Sequence, residues 1–127
     1  MDGEGPSILI VEDDPALRLL CRVNLELEHF RVREADTLET ARYAVNRERP
    51  SLVFLDLHLG AASSEELLDE LICAGVPVVV VSGTIDVDGY AGRASAVLPK
   101  PFDPAEFVEA ARRCAAGDVG RSASLDE

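Results

Sequence analysis

Acidic, hydroxyl and ammonium side chains follow four apolar segments of this chain at the points where the segments stop. Residues 7–11 stop at Glu12-Asp13-Asp14, residues 52–55 at Asp56, residues 78–81 at Ser82, and residues 96–99 at Lys100. In an open parallel sheet the carboxyl ends of the strands meet along one edge, and ligands bind at that edge. The sequence therefore predicts that three aspartates, a hydroxyl and a lysine meet at one point.

The three aspartates favour a divalent cation. Asp13, Asp14 and Asp56 would repel one another if they were packed together without one. Mg²⁺ binds carboxylate oxygens while it keeps several waters, and Mn²⁺ is an alternative ion. Calcium is less favoured because the D-x-[DN]-x-[DN]-G loop is absent. A second interpretation stays open, in which Asp13-Asp14 caps a helix that starts near Pro15.

Asp56 is the candidate nucleophile. A carboxylate beside Mg²⁺ can attack a phosphoryl group and form an aspartyl phosphate. The charge on the transferring group would then be shared by Mg²⁺, by the Lys100 ammonium and by the Ser82 hydroxyl. An aspartate at a strand end is more often a turn residue or a helix cap, so the prediction rests on all four groups occurring in this order.

Two further residues lie two positions beyond the main candidates. His58 follows Asp56 and Thr84 follows Ser82, and both are predicted to border the phosphoryl site. The backbone carbonyl of His58 is a candidate Mg²⁺ ligand. Its imidazole is equally well explained as an exposed loop side chain.

Strand-like and helix-like patterns alternate along the chain. Strands are predicted at 7–12, 30–35, 51–56, 78–82 and 96–99, and helices start after Asp14, Asp36 or Thr37, Ser63 or Ser64, and Asp103. Residues 57–63 are predicted to form a loop, and the glycine-rich stretch 84–95 leaves room for at most a short helix. This alternation predicts an α/β fold with a doubly wound, five-stranded parallel sheet.

Composition limits the class of protein. The 127 residues include 24 acidic and 12 basic side chains, a net charge of −12 without a basic cluster, which argues against direct nucleic-acid binding. The start of the chain lacks a signal-peptide pattern, and no apolar run approaches membrane-spanning length. The three cysteines have no C-x-x-C spacing, so we expect reduced thiols in a cytoplasmic protein.

The predicted organisation is one domain with short flanks. Residues 1–6 are expected to be flexible, residues 7–116 to form the domain, and residues 117–127 to be a disordered tail. No stretch after residue 116 has the pattern of an output domain.

Together these segments resemble a known family. The order Ile-Val-Glu-Asp-Asp, Leu-Asp-Leu-His-Leu, Val-Val-Ser-Gly and Leu-Pro-Lys-Pro-Phe resembles the receiver domain of two-component response regulators, over about residues 7–116. The resemblance implies a flavodoxin-like sheet of strand order 2-1-3-4-5. It also implies the following roles: Asp56 as phosphoacceptor; Asp13, Asp14, Asp56 and the His58 carbonyl as Mg²⁺ ligands; Ser82 as the switch hydroxyl; and Lys100 as the phosphate partner, before a cis peptide bond to Pro101.

The resemblance also implies partners. The phosphoryl donor would be a phosphohistidine on a sensor histidine kinase or on a histidine phosphotransfer protein. Output would be protein–protein contact with an unknown downstream protein or phosphorelay, without membrane insertion, and the domain would be no enzyme beyond its own phosphorylation and dephosphorylation. Two alternatives remain open. An aspartate-nucleophile phosphatase or phosphotransferase usually has a second aspartate where this chain has His58, and a non-phosphorylated scaffold would not need the intact acidic set.

Three features depart from the family pattern. Val97 stands where the family often has a switch aromatic, and Gly60 stands where it often has proline. The span from Ser82 to Lys100 is short, so the fourth helix is expected to be shortened or missing. Thr84 and Gly89-Tyr90 resemble a subgroup of stand-alone receivers, in which Tyr90 would take part in the output surface.

Overall fold

The computed structural model describes residues 7–60, 62–83 and 93–115. In chain order, the elements are β1 (Ser7–Val11), α1 (Pro15–Leu27), β2 (Arg31–Ala35), α2 (Leu38–Arg47), β3 (Leu52–Asp56), β4 (His58–Leu59), β5 (Ala62–Ser63), α3 (Glu65–Cys73), β6 (Val78–Ser82), β7 (Ala96–Pro99) and α4 (Pro104–Ala115). Five of these strands form one parallel sheet in the order β2-β1-β3-β6-β7. The doubly wound sheet of order 2-1-3-4-5 is therefore confirmed, when the short strands β4 and β5 are left out of the numbering.

Apolar side chains cover both faces of the sheet because strand residues alternate between its two sides. On one side Ile8, Ile10 and Phe54 pack against α1 and α4, and the Phe54 and Phe107 rings stack with centroids 4.0 Å apart. On the other side Leu9, Val11, Val53 and their neighbours pack against α2 and α3. The continuous apolar strands of the sequence thus correspond to a sheet that is buried on both faces.

Helix ends follow the polar residues that the sequence offers. Asp14 is the N-cap of α1, where its side chain accepts hydrogen bonds from the amides of Ala16 and Leu17. Thr37 is the N-cap of α2 and forms a reciprocal capping box with Thr40. Ser64 occupies the N-cap position of α3 without a side-chain cap bond, because its hydroxyl is used at the candidate site.

The structure differs from the expected loop at residues 57–63 and leaves the expected fourth helix untested. Residues 57–63, expected to be a loop, include the antiparallel pair β4–β5, in which Leu59 lies opposite Ala62. The fourth helix of the expected fold falls in the stretch 84–95, of which residues 84–92 lie outside the described residues, as do the two expected flanks. Among the helices that the structure describes, none has the length and apolar character needed to cross a membrane.

Candidate functional site

Three charged side chains gather on one side of the sheet because of strand register. Val11 of β1 is paired with Leu55 of β3, so the next pair along these parallel strands is Glu12 opposite Asp56. Both follow the alternation of the α1/α4 side, two residues after Ile10 and Phe54. Lys100 likewise lies two residues beyond Leu98, which belongs to the same apolar cluster.

Lys100 lies between two buried carboxylates. Its Nζ is 3.0 Å from Glu12 Oε1 and 3.1 Å from Asp56 Oδ2. Glu12 and Asp56 are each only 5 % exposed. Lys100 is the only lysine in the sequence, beside eleven arginines. A compact ammonium can approach two carboxylates at once at this narrow point, whereas a guanidinium would need a planar fork of acceptors.

The electrostatics follow from this burial. Burial raises the pKa of Glu12, and the negative charge of Asp56 adds to the rise, although the hydrogen bonds from Lys100 and from the Asp14 amide oppose it. Burial opposes the charge of Lys100, but hydrogen bonds to Glu12 and Asp56 outweigh it, so the pKa of Lys100 is raised. The ammonium therefore stays protonated at neutral pH and partly balances the two acids.

Asp56 is held on three sides. Its Oδ1 accepts a hydrogen bond from the His58 amide at 3.0 Å, while Oδ2 faces Lys100. Its backbone carbonyl accepts a 2.7 Å bond from Ser64 Oγ, which is fully buried. A carboxylate with both oxygens engaged has a defined orientation, as a nucleophile needs.

Asp13 reaches the same place from the end of β1. Its side chain is exposed, and its Oδ2 accepts a 2.8 Å hydrogen bond from the Gly60 amide. One carboxylate oxygen from each of Glu12, Asp13 and Asp56 lies within 4.8 Å of the others. When all four groups are ionised, these carboxylates exceed the Lys100 ammonium by two charges, the charge of a divalent cation.

The donor set fits a magnesium-type ion. Oxygens bound to one Mg²⁺ lie at most about 4.2 Å apart, since each bond is about 2.1 Å long. The three carboxylate oxygens lie within 4.8 Å of one another, so small side-chain adjustments would bring them onto one ion. Hard oxygen donors are the ligands that this ion prefers. The acidic cluster can therefore hold a metal ion.

The cluster contains Glu12, whereas the sequence pattern predicts Asp14 there. The Asp14 side chain caps α1, the alternative that the sequence left open. Glu12 was not among the predicted site residues, although a signal for it exists. Residues 8, 10, 12 and 52, 54, 56 share the same two-residue alternation, so Glu12 is the acid that faces Asp56 once β1 and β3 are paired in register.

The remaining candidates take the following places. Ser82 ends β6, is 1 % exposed, and accepts a 2.8 Å hydrogen bond from the Lys100 amide at its carbonyl. His58 has an exposed side chain, and its backbone lies beside Asp56. The Lys100-Pro101 bond is cis, as expected. Val97 is half-buried against the α2/α3 cluster, whereas Thr84 and Tyr90 lie outside the described residues.

Comparison with known proteins agrees with this geometry. The model of the response regulator receiver domain family matches residues 8–112. The DNA-binding dual master transcriptional regulator RpaA of Synechocystis sp. is 34 % identical over 116 residues, which cover 84 % of this chain and 48 % of RpaA. The chain thus spans about half the length of this curated relative.

Solved structures give the same result. The receiver domain of NtrX from Brucella abortus superposes with a TM-score of 0.78 at 30 % identity, over 86 % of this chain and 98 % of that one. A CheY-like response regulator receiver domain protein from Methanospirillum hungatei has a TM-score of 0.82 at 23 % identity, over 93 % and 99 % of the two chains, and supports the fold alone. Given the family match over most of its length, the chain belongs to the receiver domain family of two-component response regulators.

Proposed function

We propose that this receiver domain is a signalling switch that accepts a phosphoryl group on Asp56. The observation that carries the proposal is the position of Asp56, which is 5 % exposed, paired with Lys100 at 3.1 Å, and close to the Glu12 and Asp13 oxygens. These groups place an oriented carboxylate beside a fixed positive charge and a candidate cation site. Phosphoryl transfer depends mainly on such positioning and charge stabilisation.

In the proposed reaction, the phosphoryl group passes from the imidazole of the donor to the carboxylate of Asp56. An Asp56 carboxylate oxygen forms a bond to phosphorus while the bond from phosphorus to the imidazole nitrogen of a phosphohistidine breaks. The imidazole leaves with the bonding electron pair and takes a proton from solvent. A bound Mg²⁺ would supply charge neutralisation for the phosphoryl oxygens.

Each residue of the site has a role in this proposal. Asp13 and Asp56 hold Mg²⁺ together with Glu12, and the His58 carbonyl is a further ligand. Asp14 keeps only its role as the cap of α1. Lys100 is proposed to follow the negative charge from the Asp56 carboxylate to the phosphoryl group. The Ser82 hydroxyl is proposed to donate a hydrogen bond to a phosphoryl oxygen, and Thr84 to border the phosphoryl site.

The proposed partners follow from family membership. A sensor histidine kinase or a histidine phosphotransfer protein would donate the phosphoryl group. Output would go to another protein through contact or phosphorelay. Residues 7–116 are proposed to form the whole receiver unit.

Mass spectrometry of the intact protein tests the proposal. Incubation with acetyl phosphate and Mg²⁺ should add one phosphoryl group, whereas EDTA or the substitution Asp56→Asn should prevent the gain. Asp36→Asn is a matched control, because Asp36 is an exposed aspartate that also follows a sheet strand. Unchanged labelling of Asp56→Asn would refute the proposal, and steady turnover of p-nitrophenyl phosphate would instead favour the phosphatase alternative.

A further inference from the structure

The β4–β5 hairpin donates a backbone hydrogen bond to the acidic cluster. The amide of Gly60 lies 2.8 Å from Asp13 Oδ2, a contact between residues 47 positions apart in the chain. Asp13 is exposed, so without a partner its carboxylate would exchange between rotamers. This bond selects the orientation in which Asp13 lies beside Glu12 and Asp56.

Glycine suits position 60 because of its backbone conformation, not because a side chain would lack room. Its φ is +61°, in the left-handed region that glycine adopts without strain. A Cβ at this position would meet Asp13 Oδ2 at 3.8 Å, an ordinary contact. Proline, the residue that the family resemblance leads us to expect here, lacks the amide hydrogen and is restricted to φ near −65°. The hydrogen bond therefore depends on this departure from the family pattern.

The same hairpin also binds the Asp56 carboxylate. The His58 amide at its first residue donates to Asp56 Oδ1, and Leu59 next to it is buried. Just after the hairpin, the Ser64 amide donates to the Leu57 carbonyl. One short, anchored unit thus sets the positions of Asp56 and Asp13 relative to each other.

We infer that Gly60 is a positioning residue of the metal site, whose amide orients the Asp13 carboxylate for a divalent cation before the cation arrives. The inference rests on the proposed function, because it takes Asp13 as a metal ligand. A hydrogen bond to one lone pair of Oδ2 leaves Oδ1 and the second lone pair of Oδ2 free for the ion. Asp13 can therefore accept the Gly60 hydrogen bond and bind the cation at the same time.

The affinity for Mg²⁺ measures this effect. Replacement of groups that orient metal ligands commonly weakens metal binding about 10-fold to 100-fold. We expect Gly60→Pro to weaken Mg²⁺ binding by about tenfold in isothermal titration calorimetry. Gly60→Asn is the matched control, because asparagine keeps the amide hydrogen and tolerates the left-handed conformation, so its affinity should stay within about twofold of the wild type.

Hydrogen exchange of the Gly60 amide gives a second measurement that needs no change at residue 60. In the metal-free wild type this amide should exchange slowly for a hairpin-turn residue. Asp13→Ala removes the acceptor and should accelerate exchange of the Gly60 amide about tenfold, whereas Asp36→Ala should leave it unchanged. This measurement decides the matter if Gly60→Pro fails to fold.

The outcomes separate the two proposals. If the wild type binds no Mg²⁺, the proposed function is overturned and this inference with it. If the wild type and Gly60→Pro bind Mg²⁺ equally, only the role of Gly60 is overturned. Unchanged Gly60 exchange in Asp13→Ala would also overturn it.

Discussion

Asp13 and Asp14 are adjacent aspartates with different surroundings. Asp14 Oδ1 accepts hydrogen bonds from the Ala16 and Leu17 amides at 3.0 and 3.4 Å, which satisfies two free donors at the start of α1. Asp13 turns toward the Gly60 amide and the acidic cluster. The same carboxylate group thus stabilises a helix at Asp14 and belongs to a candidate cation site at Asp13.

Alanine substitutions should separate these two roles. Asp14→Ala removes the N-cap and should lower the free energy of unfolding by about 1 kcal/mol, with little change in Mg²⁺ affinity. Asp13→Ala should weaken Mg²⁺ binding strongly and cost little stability without metal, because it relieves repulsion within the cluster. Denaturant unfolding and Mg²⁺ titration of both variants check this, and stronger metal loss in Asp14→Ala would reverse the assignment.

The protonation of Lys100 can be followed directly by NMR. Because it is the only lysine, biosynthetic labelling with [¹³Cε]lysine gives a single side-chain signal in NMR. The pKa of Lys100 should lie above its usual value of 10.5 and should move back toward that value in Asp56→Asn. Since the folded pKa exceeds the unfolded one, the ammonium stabilises the fold below the unfolded pKa. That contribution is lost as the pH rises through the folded pKa.

A pKa at or below 10.5 in the wild type would mean that burial dominates over the two carboxylates. Glu12→Gln serves as the companion variant, since it removes the other partner of Lys100. Both single substitutions should lower the pKa of Lys100.

Patterns of apolar residues predicted most of the strands and helices of this fold. Four of the predicted strand ends carry the candidate groups. Helix α1 begins after Asp14, as predicted, and α2 begins after Thr37, one of the two caps that the sequence offered with Asp36. The β4–β5 hairpin was not predicted, because strands of two residues are too short to show alternation. Its contact to Asp13 joins residues 47 positions apart in the chain, so no local pattern indicates it.

Some site residues were likewise predicted from local patterns, whereas others were not. Asp56 and Lys100 were predicted to meet, and the structure brings them to 3.1 Å. Glu12 was missed because three consecutive acids make it hard to tell which of them faces the sheet edge. The pairing of β1 with β3 places Glu12, rather than Asp14, opposite Asp56.

Helix packing predicts which cysteines react. Cys73 is exposed at the end of α3, whereas Cys21 in α1 and Cys114 in α4 are buried. Burial and the negative charge of Glu12 raise the pKa of Cys21 to about 12, and burial raises the pKa of Cys114. Since the thiolate is the reactive form, Ellman's reagent should titrate one thiol rapidly in the native protein and all three after denaturation.

Cys73→Ser is the control for that experiment, and it should remove the rapid phase. Rapid reaction of a second thiol in the native protein would show that α1 or α4 opens from the sheet more readily than its packing indicates. The sum of the slow phases should equal two thiols, those of Cys21 and Cys114.

The whole molecule is strongly acidic, with a net charge of −12. Any salt will therefore reduce repulsion between its charges, within a screening length of about 8 Å at physiological ionic strength. A specific cation has a further effect, because an ion that binds only the folded protein stabilises it by about 2.7 kcal/mol at a concentration 100 times its Kd. The two effects can be separated by experiment.

We expect Mg²⁺ to raise the midpoint of thermal unfolding more than NaCl of equal ionic strength does. Differential scanning calorimetry of the wild type and Asp13→Ala measures this, and the extra rise should disappear in the variant. Equal effects of the two salts on the wild type would mean that charge screening alone accounts for the stabilisation.

The most direct test of the central claim is the location of the phosphoryl group. After incubation with acetyl phosphate and Mg²⁺, reduction with borohydride converts a phosphorylated aspartate to homoserine, which peptide mass spectrometry can assign to one residue. The geometry of Glu12, Asp13, Asp56 and Lys100 predicts homoserine at position 56 and at no other aspartate. Homoserine at another aspartate, with residue 56 unmodified, would contradict the account.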